Sequence, residues 1–241
     1  MHKETRKFYQ KTKLYPDLDG TVEEVYDITH IKVFKKKYPR LPSVKLAEVD
    51  RRESEFETLL EHRESHRNFF DSPISFEDFS KIIQSCRIVN TKRSPEKRTY
   101  PSGGARFPVE LYPIVYKVDG LDPGAYHYNM EDGTIELLLG KDLAIERRQL
   151  ISPYLENPVA TIIFTSVIAR SEVKYGLRSY PYSLIEAGHM GQNIQLSASE
   201  IGIGSCPVSG FVDDTVKKIL DLTDDEIPIY SISIGKIKSR K

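Results

Sequence analysis

Cysteine is scarce in this sequence, which contains only Cys86 and Cys206 among its 241 residues. Two cysteines cannot form the disulfide framework of a small secreted scaffold. They also stand alone, and neither His127 nor Glu186 shows the spacing of metal ligands, so the sequence predicts no metal site. This usage of cysteine is typical of a reducing cytoplasm.

Long apolar runs and an excess of either charge are also missing. No segment approaches the ~20 apolar residues that a membrane-spanning helix needs, and residues 1–7 lack the apolar core of a signal peptide. Lys plus Arg and Asp plus Glu both number 35, so no overall positive field would attract nucleic acid. We therefore expect a cytoplasmic protein that binds neither membranes nor nucleic acid.

The chain divides by composition into a polar extension at residues 1–50 and a folded domain at residues 51–241. The extension is rich in Lys and Tyr and contains Pro16, Pro39 and Pro42. We expect it to wrap over the folded domain or over a partner chain.

Hydrophobic periodicity predicts helices and strands in alternation through the folded domain. Ser75 is a predicted N-cap, with Asp78 three residues later. The predicted helices are 53–62, 75–86, 142–150, 182–201 and 213–222. The predicted strands are 109–118, 125–128, 134–139, 159–167 and 227–234, with a long loop at 90–108. This order indicates an α+β sandwich with helices packed on one sheet.

The longest predicted helix contains Gly188 and Gly191. Each glycine should cost about 1 kcal/mol relative to alanine in a helix interior. Such a cost is expected where another helix packs closely, for example at a twofold subunit interface.

Four segments contain residues suited to chemistry. The first is residues 63–69, where Arg63, Ser65 and Arg67 place two guanidinium groups and a hydroxyl within reach of one phosphate. An exposed, charged helix end is the alternative interpretation of this pattern. The second is residues 100–105, where Gly103 and Gly104 remove side-chain bulk and allow close approach of a planar ring. An ordinary surface turn is the alternative.

The third segment is the pair Lys174 and Tyr175, which precedes the longest predicted helix. An amine and a phenol can both move protons when their surroundings adjust their acidity. A charged loop residue beside a tyrosine packed on the core is the alternative. The fourth segment is residues 202–211, where Gly202 and Gly204 end that helix and where the family resemblance described below implies a loop. A basic end at Lys236 and Lys238 follows the last strand.

Together, and in this order, the four segments resemble the nitroreductase-like flavoproteins, over roughly residues 51–237. They resemble more narrowly the SagB-type dehydrogenases, which are FMN-dependent enzymes that oxidise azolines in ribosomally made peptides. The resemblance implies a nitroreductase-like α+β sandwich with a mostly antiparallel central sheet and an intertwined homodimer. It also implies that FMN lies between two subunits.

The resemblance further implies roles for particular residues. Lys174 would be the catalytic base, and Tyr175 would relay the proton or orient the substrate ring. A backbone amide near Ser209 or Gly210 would donate to flavin N5. The residues assigned to the cofactor are Arg63, Ser65, Arg67, Pro101, Ser102, Gly103, Gly104, Pro207, Val208, Ser209, Gly210, Lys236 and Lys238.

The leading hypothesis is therefore a dehydrogenase that converts a thiazoline or oxazoline in a modified precursor peptide to the azole. A cyclodehydratase partner would deliver the peptide. One alternative is an NAD(P)H-dependent nitro or quinone reductase of the same fold. Ser209 weakens that alternative, because many nitroreductases have Glu before this glycine. A second alternative is a flavin-free binding protein that retains the fold. No Gly-rich pyrophosphate fingerprint follows a strand, which disfavours a Rossmann dehydrogenase.

Overall fold

A six-stranded antiparallel sheet forms the centre of the computed structural model, which describes residues 1–16, 36–49 and 54–237. The helices are α1 (Lys3–Thr12), α2 (Glu55–His62), α3 (Phe76–Ile83), α4 (Arg147–Leu150), α5 (Ala169–Tyr175), α6 (Ser179–Glu200) and α7 (Asp213–Ile219). The strands are β1 (Ile88–Asn90), β2 (Lys97–Arg98), β3 (Val109–Val115), β4 (Gly124–Asn129), β5 (Thr134–Leu139), β6 (Ala160–Val167), β7 (Ile203–Val208) and β8 (Glu226–Lys236). The main sheet has the order β5-β4-β3-β6-β8-β7, and β1 pairs with β2 separately.

Strand β6 lies inside the sheet, as its β-branched and apolar sequence predicts. It pairs with β3 on one side and β8 on the other. Because side chains alternate along a strand, Ile162 and Phe164 pack toward α3 and α6, whereas Ile163 packs toward α4 and α7. Helices thus cover both faces of the sheet, and the predicted α+β sandwich is confirmed.

Helix α6 crosses the sheet and begins at Ser179, three residues earlier than predicted. A Cβ atom on Gly191 would lie 2.7 Å from Cε1 of Tyr230 and 3.3 Å from Cδ1 of Ile232, both on β8. The prediction of a close helix is therefore wrong at Gly191, because a strand makes the close approach. A Cβ atom on Gly188 would meet no atom within 4 Å.

Strand β7 corrects the prediction of a loop at 202–211. Residues 203–208 pair antiparallel with β8 along their whole length, from Ile203 opposite Lys236 to Val208 opposite Ser231. The segment contains Gly204 and Pro207 and lacks alternating polarity, so its sequence does not indicate a strand. Pro207 is tolerated because β7 is an edge strand, where one side of the backbone needs no ladder partner.

Several predicted elements are shorter than expected. Only Arg147–Leu150 is helical within 142–150, since the Asp142 carboxylate accepts a hydrogen bond from the Ala144 amide at 2.9 Å and forms a turn instead. The segment 90–108 is not one loop, because it contains the end of β1, all of β2 and a 3-10 turn at Gly103–Ala105. Strand β3 and the helices α3 and α7 each end three residues before the predicted boundary.

Helix α1 was not predicted and packs on the folded domain. Tyr9 is buried with Ile168 and Ile227, and the Leu14 amide donates to the Asp213 carboxylate at 2.9 Å. Part of the predicted extension therefore does lie over the domain. The domain boundary near residue 50 falls outside the described residues and stays a prediction.

Candidate functional site

The basic segment after α2 lies along the free edge of β7. Ser65 forms an isolated parallel bridge with Ser205, and the His66 amide donates to the Ser205 carbonyl at 2.9 Å. Farther along, the Phe70 amide donates to the Lys236 carbonyl at 2.8 Å. These bonds fix the backbone of the segment against both β7 and β8.

Two glycines allow this close approach. A Cβ atom on Gly235 would lie 2.7 Å from Cγ of Phe69, and one on Gly204 would lie 3.1 Å from Cβ of His66. Any side chain at either position would push the segment away from the strands.

As a result, the segment that carries three of the predicted phosphate ligands, Arg63, Ser65 and Arg67, runs along β7 to the end of β8, where a fourth, Lys236, lies. Ser65, Arg67 and Lys236 are exposed and Arg63 is partly buried. Burial raises the pKa of the Cys206 thiol on β7, and the nearby Arg67 guanidinium acts in the opposite direction. Lys238 lies outside the described residues.

Pro207 and Val208 end β7, and Ser209 and Gly210 follow it. A cavity of about 570 Å³ opens beside Ser209. Its walls come from α1, α6, β8 and the segment after β7, and they include Tyr9, Tyr180, Leu184, Gly188, Phe211 and Tyr230.

The small-residue segment 101–104 lies elsewhere, against α6. Ser102 Oγ donates a hydrogen bond to Oε2 of Glu186 and accepts one from the Phe107 amide at 2.9 Å. Gly104, Ala105 and Phe107 have φ values of 62°, 52° and 45°. Left-handed backbone is unusual for residues that carry a Cβ atom, so this turn is a strained feature.

Lys174 and Tyr175 end α5 and reach this same turn. A Cβ atom on Gly104 would collide with the Tyr175 hydroxyl and would lie 2.9 Å from Lys174 Nζ. The Tyr175 ring packs edge-on against Tyr182, with centroids 5.1 Å apart. In the single chain Lys174 is exposed and Tyr175 is partly buried.

A cavity of about 270 Å³ lies beside the turn. It is lined by Pro101, Ser102, Gly103, Tyr182, Ile185, Glu186 and His189. Burial raises the pKa of Glu186 to about 7, against the opposing effects of the Ser102 hydrogen bond and the Val109 amide. The cavity thus contains a carboxyl group that can change charge near neutral pH.

Helix α6 separates the two cavities. Leu184, Ala187 and Gly188 line the larger cavity, whereas Tyr182, Ile185, Glu186 and His189 line the smaller one. With 3.6 residues per turn, these two groups point in directions roughly 150° apart. Of the predicted cofactor residues, Ser209 therefore lies at one side of α6, and Pro101, Ser102 and Gly103 lie at the other.

Sequence reasoning missed Glu186 and Tyr182 as members of the site. Glu186 is 84 positions from Ser102 in sequence, so no local pattern links them. The available signal was a lone carboxylate among Ser183, Ala187 and Met190 on the buried face of α6. Asn193, also on α6, donates from its Nδ2 to the Thr99 carbonyl at 3.1 Å.

Within the described ranges 1–16, 36–49 and 54–237, no group of three or more His, Cys, Asp or Glu residues is arranged to hold a metal ion. In the same ranges, no helix combines the length and the apolar character needed to cross a membrane.

Comparisons with known proteins identify relatives. A model described as the nitroreductase family matches residues 60–236. MJ1384 of Methanocaldococcus jannaschii, a protein named as a nitroreductase, is 30% identical over 189 residues, which are 78% of this chain and 93% of that protein. The microcin B17-processing protein McbC of Escherichia coli is 28% identical over 204 residues, which are 77% of this chain and 75% of McbC.

A solved structure has the same fold. A chain of the E. coli microcin synthetase McbBCD complex, with truncated pro-MccB17 bound, matches with a TM-score of 0.78 at 21% identity. The match covers 99% of this chain and 95% of that chain.

Proposed function

This chain belongs to the nitroreductase family, and from that premise we propose that it is an FMN-dependent dehydrogenase of the SagB type. Its substrate would be a thiazoline or oxazoline within a modified precursor peptide, and its product would be the thiazole or oxazole. The observation that carries this proposal is the position of Lys174 and Tyr175 against Gly104, beside the small-residue segment assigned to the flavin. The similarity to McbC supports it.

The residues present suit a flavin mononucleotide. Arg63, Arg67 and Lys236 offer cationic groups for a phosphate, which guanidinium and ammonium groups bind through charge-assisted hydrogen bonds. Pro101, Ser102 and Gly103 line a cavity of about 270 Å³, and Ser209 lines one of about 570 Å³. When bound, the flavin supplies a two-electron acceptor for a hydride.

The chain's own residues would then handle the proton. Oxidation of an azoline removes a hydride from one ring carbon and a proton from its neighbour. Lys174 in its amine form accepts that proton, and Tyr175 orients the ring or relays the proton.

We further propose that the active unit is a homodimer. Ser209 and the turn that contains Gly104 lie on opposite sides of α6. A second chain that packs across α6 would therefore bring the Gly104 turn of one chain to Ser209 of the other. Several apolar side chains on α6, on the elements α2 and α5 near it and on the turn after α5 are exposed, as expected for a surface that a partner covers. They are Phe56, Val173, Leu177, Leu184 and Ile185.

The substrate would arrive through a larger assembly. The matching solved structure is a synthetase complex with a precursor peptide bound. By this similarity we propose that a modified precursor peptide is the substrate and that a cyclodehydratase partner makes the azoline. A terminal acceptor such as oxygen would reoxidise the flavin.

Mass spectrometry tests the proposal directly. A peptide that contains a thiazoline is incubated with the FMN-loaded protein, and the expected result is the loss of two hydrogens. An unchanged peptide mass, with flavin bound and the cyclodehydratase partner supplied, would refute the proposal.

The NAD(P)H-dependent reductase is the second candidate, and the 30% identity to MJ1384 favours it. Anaerobic addition of NADH or NADPH separates the two. A reductase should bleach its flavin absorbance with a reduced nicotinamide, whereas the dehydrogenase should be reduced by the azoline peptide. A protein that takes up no added FMN would instead be a binding protein of this fold.

A further inference from the structure

Glu186 is a buried carboxylate on α6 that the proposed mechanism does not use. Its side chain is only 2% exposed, and a buried charge is unfavourable unless it is hydrogen-bonded. Its Oε1 makes no hydrogen bond of full geometry with any described residue, although the Val109 amide lies near enough to favour the charged form. A group in this position needs a physical explanation.

The contacts of Oε2 supply one. Ser102 Oγ donates to Oε2 and accepts from the Phe107 amide at 2.9 Å. The hydroxyl therefore connects the carboxylate on α6 to both ends of the turn at residues 102–107. Among the described residues, Glu186 is the α6 residue whose side chain hydrogen-bonds to this turn; the other side-chain hydrogen bonds of α6 go elsewhere.

The turn has an unfavourable backbone and needs such a connection. Ala105 and Phe107 both have positive φ values, and side chains in that region are held there only by surrounding contacts. Arg170 contributes one contact, because its Nη1 donates to the Phe107 carbonyl at 3.0 Å. Gly104, inside the turn, is the residue that Lys174 and Tyr175 approach.

We propose that Glu186 is a positioning residue: its ionised carboxylate, acting through Ser102, holds the 102–107 turn in the conformation that places Gly104 beside Lys174 and Tyr175. The catalytic consequence of this clamp rests on the proposed function. The clamp itself is a property of the chain and can be measured without flavin or substrate.

The clamp depends on pH. Protonated Glu186 can still accept from Ser102 through its carbonyl oxygen, but a hydrogen bond to a neutral acceptor is weaker than one to a carboxylate, so protonation weakens the connection. The Ser102 hydrogen bond accordingly favours the charged form of Glu186. Burial places the pKa of Glu186 at about 7, and the turn is therefore held more firmly at pH 8 than at pH 6. The ionisable groups around Glu186 are Arg98, Tyr100, Glu110 and His189, with Lys174 and Tyr175 beyond Gly104.

Hydrogen exchange of the Phe107 amide in the full chain tests the clamp. Rates are measured at pH 6 and pH 8 and corrected for the intrinsic pH dependence of exchange. Glu186→Ala should increase the corrected rate roughly tenfold at pH 8, because a hydrogen bond to a charged group is lost. Glu186→Gln still accepts from Ser102 but is neutral and cannot titrate, so its protection should match the wild type at pH 6 and should not increase at pH 8.

Two further variants set the scale. Ser102→Ala removes the acceptor of the Phe107 amide and defines the full loss of protection. Glu200→Gln changes an exposed carboxylate at the end of the same helix, which pairs with Lys81, and should match the wild type at both pH values. If Glu186→Ala does not fold, the comparison of Glu186→Gln with the wild type still decides the proposal.

The proposal is overturned if Glu186→Gln retains the wild-type pH dependence, or if a folded Glu186→Ala exchanges Phe107 at the wild-type rate. Fluorescence titration with FMN adds the functional readout. Glu186→Ala should bind FMN most weakly, and Glu186→Gln should bind it with an affinity between those of Glu186→Ala and the wild type. A wild-type chain that binds no flavin would refute the proposed function and leave the exchange result for Glu186 intact.

Discussion

The two halves of the candidate site are built by different means. The half at β7 and β8 is held by backbone hydrogen bonds, such as the Phe70 amide to the Lys236 carbonyl, and by glycines that permit close approach. The half at the Gly104 turn is held by side chains, chiefly Ser102 and the buried Glu186. The first half presents exposed cations, and the second presents groups that can exchange protons.

This difference has a physical consequence. Backbone hydrogen bonds do not titrate in the neutral range, so the half at β7 and β8 should keep its conformation as pH changes. A side chain introduced at Gly204 or Gly235 should disrupt it. A carboxylate with a pKa near 7 changes charge in that range, so the other half should respond to pH. The proposed anchoring of an anion and the proposed movement of a proton thus involve separate parts of the chain.

The largest expected effect is on the proton-moving half. Lys174→Ala should reduce the rate of azoline oxidation roughly 10²–10⁴-fold, the usual contribution of a general base. Bound FMN should stay unchanged, because Lys174 is not among the residues proposed to hold the phosphate. The rate is measured from the two-hydrogen mass loss and the FMN content from visible absorbance. Lys141→Ala, which removes an amine paired with Glu146, is the matched control. Retained turnover in Lys174→Ala would remove the base role.

The next effect is on stability. The Glu186 carboxyl has an ordinary pKa of 4.5 and a pKa of about 7 in the folded chain. Between these values the folded state binds more protons than the unfolded state, so the free energy of unfolding decreases as pH rises from 4.5 to 7. The decrease should be about 3 kcal/mol, and Glu186→Gln should lack it.

Urea denaturation at pH 5 and pH 8 measures this contribution. Because other groups titrate equally in both proteins, the difference in stability between wild type and Glu186→Gln isolates the carboxyl. An identical difference at the two pH values would show that Glu186 does not titrate as described.

A third prediction tests phosphate binding by the half at β7 and β8. Arg67→Ala should weaken FMN binding roughly 10–100-fold, because one charge-assisted hydrogen bond to the phosphate is lost. Riboflavin, which lacks the phosphate, should bind both proteins equally. Fluorescence titration with both ligands measures this, and Arg148→Ala on α4 serves as the control. Equal weakening for FMN and riboflavin would mean that Arg67 does not contact the phosphate.

A fourth prediction concerns the backbone of the same half. Gly235→Ala places a Cβ atom 2.7 Å from Phe69 Cγ and should destabilise the chain by about 1–3 kcal/mol through overpacking. It should also weaken FMN binding, since Phe69 belongs to the segment that carries Arg67. Gly140→Ala meets only an ordinary contact, at 3.5 Å from a Leu137 methyl carbon, and is the control. Denaturation curves compare the two.

The smallest expected effect tests whether α6 packs against a second chain. Gly188→Ala meets no atom within 4 Å in the single chain, so alanine should stabilise the isolated helix by about 1 kcal/mol or less. If a partner chain packs closely on this face, the same change should weaken the dimer. Sedimentation equilibrium measures the association, and an unchanged constant would place the interface elsewhere.

Prediction from sequence succeeded where the pattern is local. The buried strand at 159–167 and the helix after Ser75 appear nearly as expected, because a β-branched apolar run and an N-cap act within a few residues. Ser75 Oγ does accept from the Asp78 amide at 3.0 Å. The residue types of Arg63, Ser65 and Arg67 also indicated a phosphate site from sequence alone, and the resemblance added Lys236 to the predicted ligands.

Prediction failed where a distant partner determines the structure. Residues 203–208 form a strand only because β8 offers its free edge, and α1 is placed by contacts with Ile168 and Ile227. Propensity is a weak guide when tertiary contacts compete with it.

By itself, then, the amino-acid sequence determined the order of most helices and strands, the cationic and small residues of the site, and the presence of an amine beside a phenol. Only the tertiary structure decided that Ser102 meets Glu186, that Gly104 lies against Lys174, and that Ser209 and residues 101–103 lie on opposite sides of α6. Periodicity and capping depend on neighbours in sequence, whereas these contacts join positions tens of residues apart and depend on how the sheet and α6 pack together.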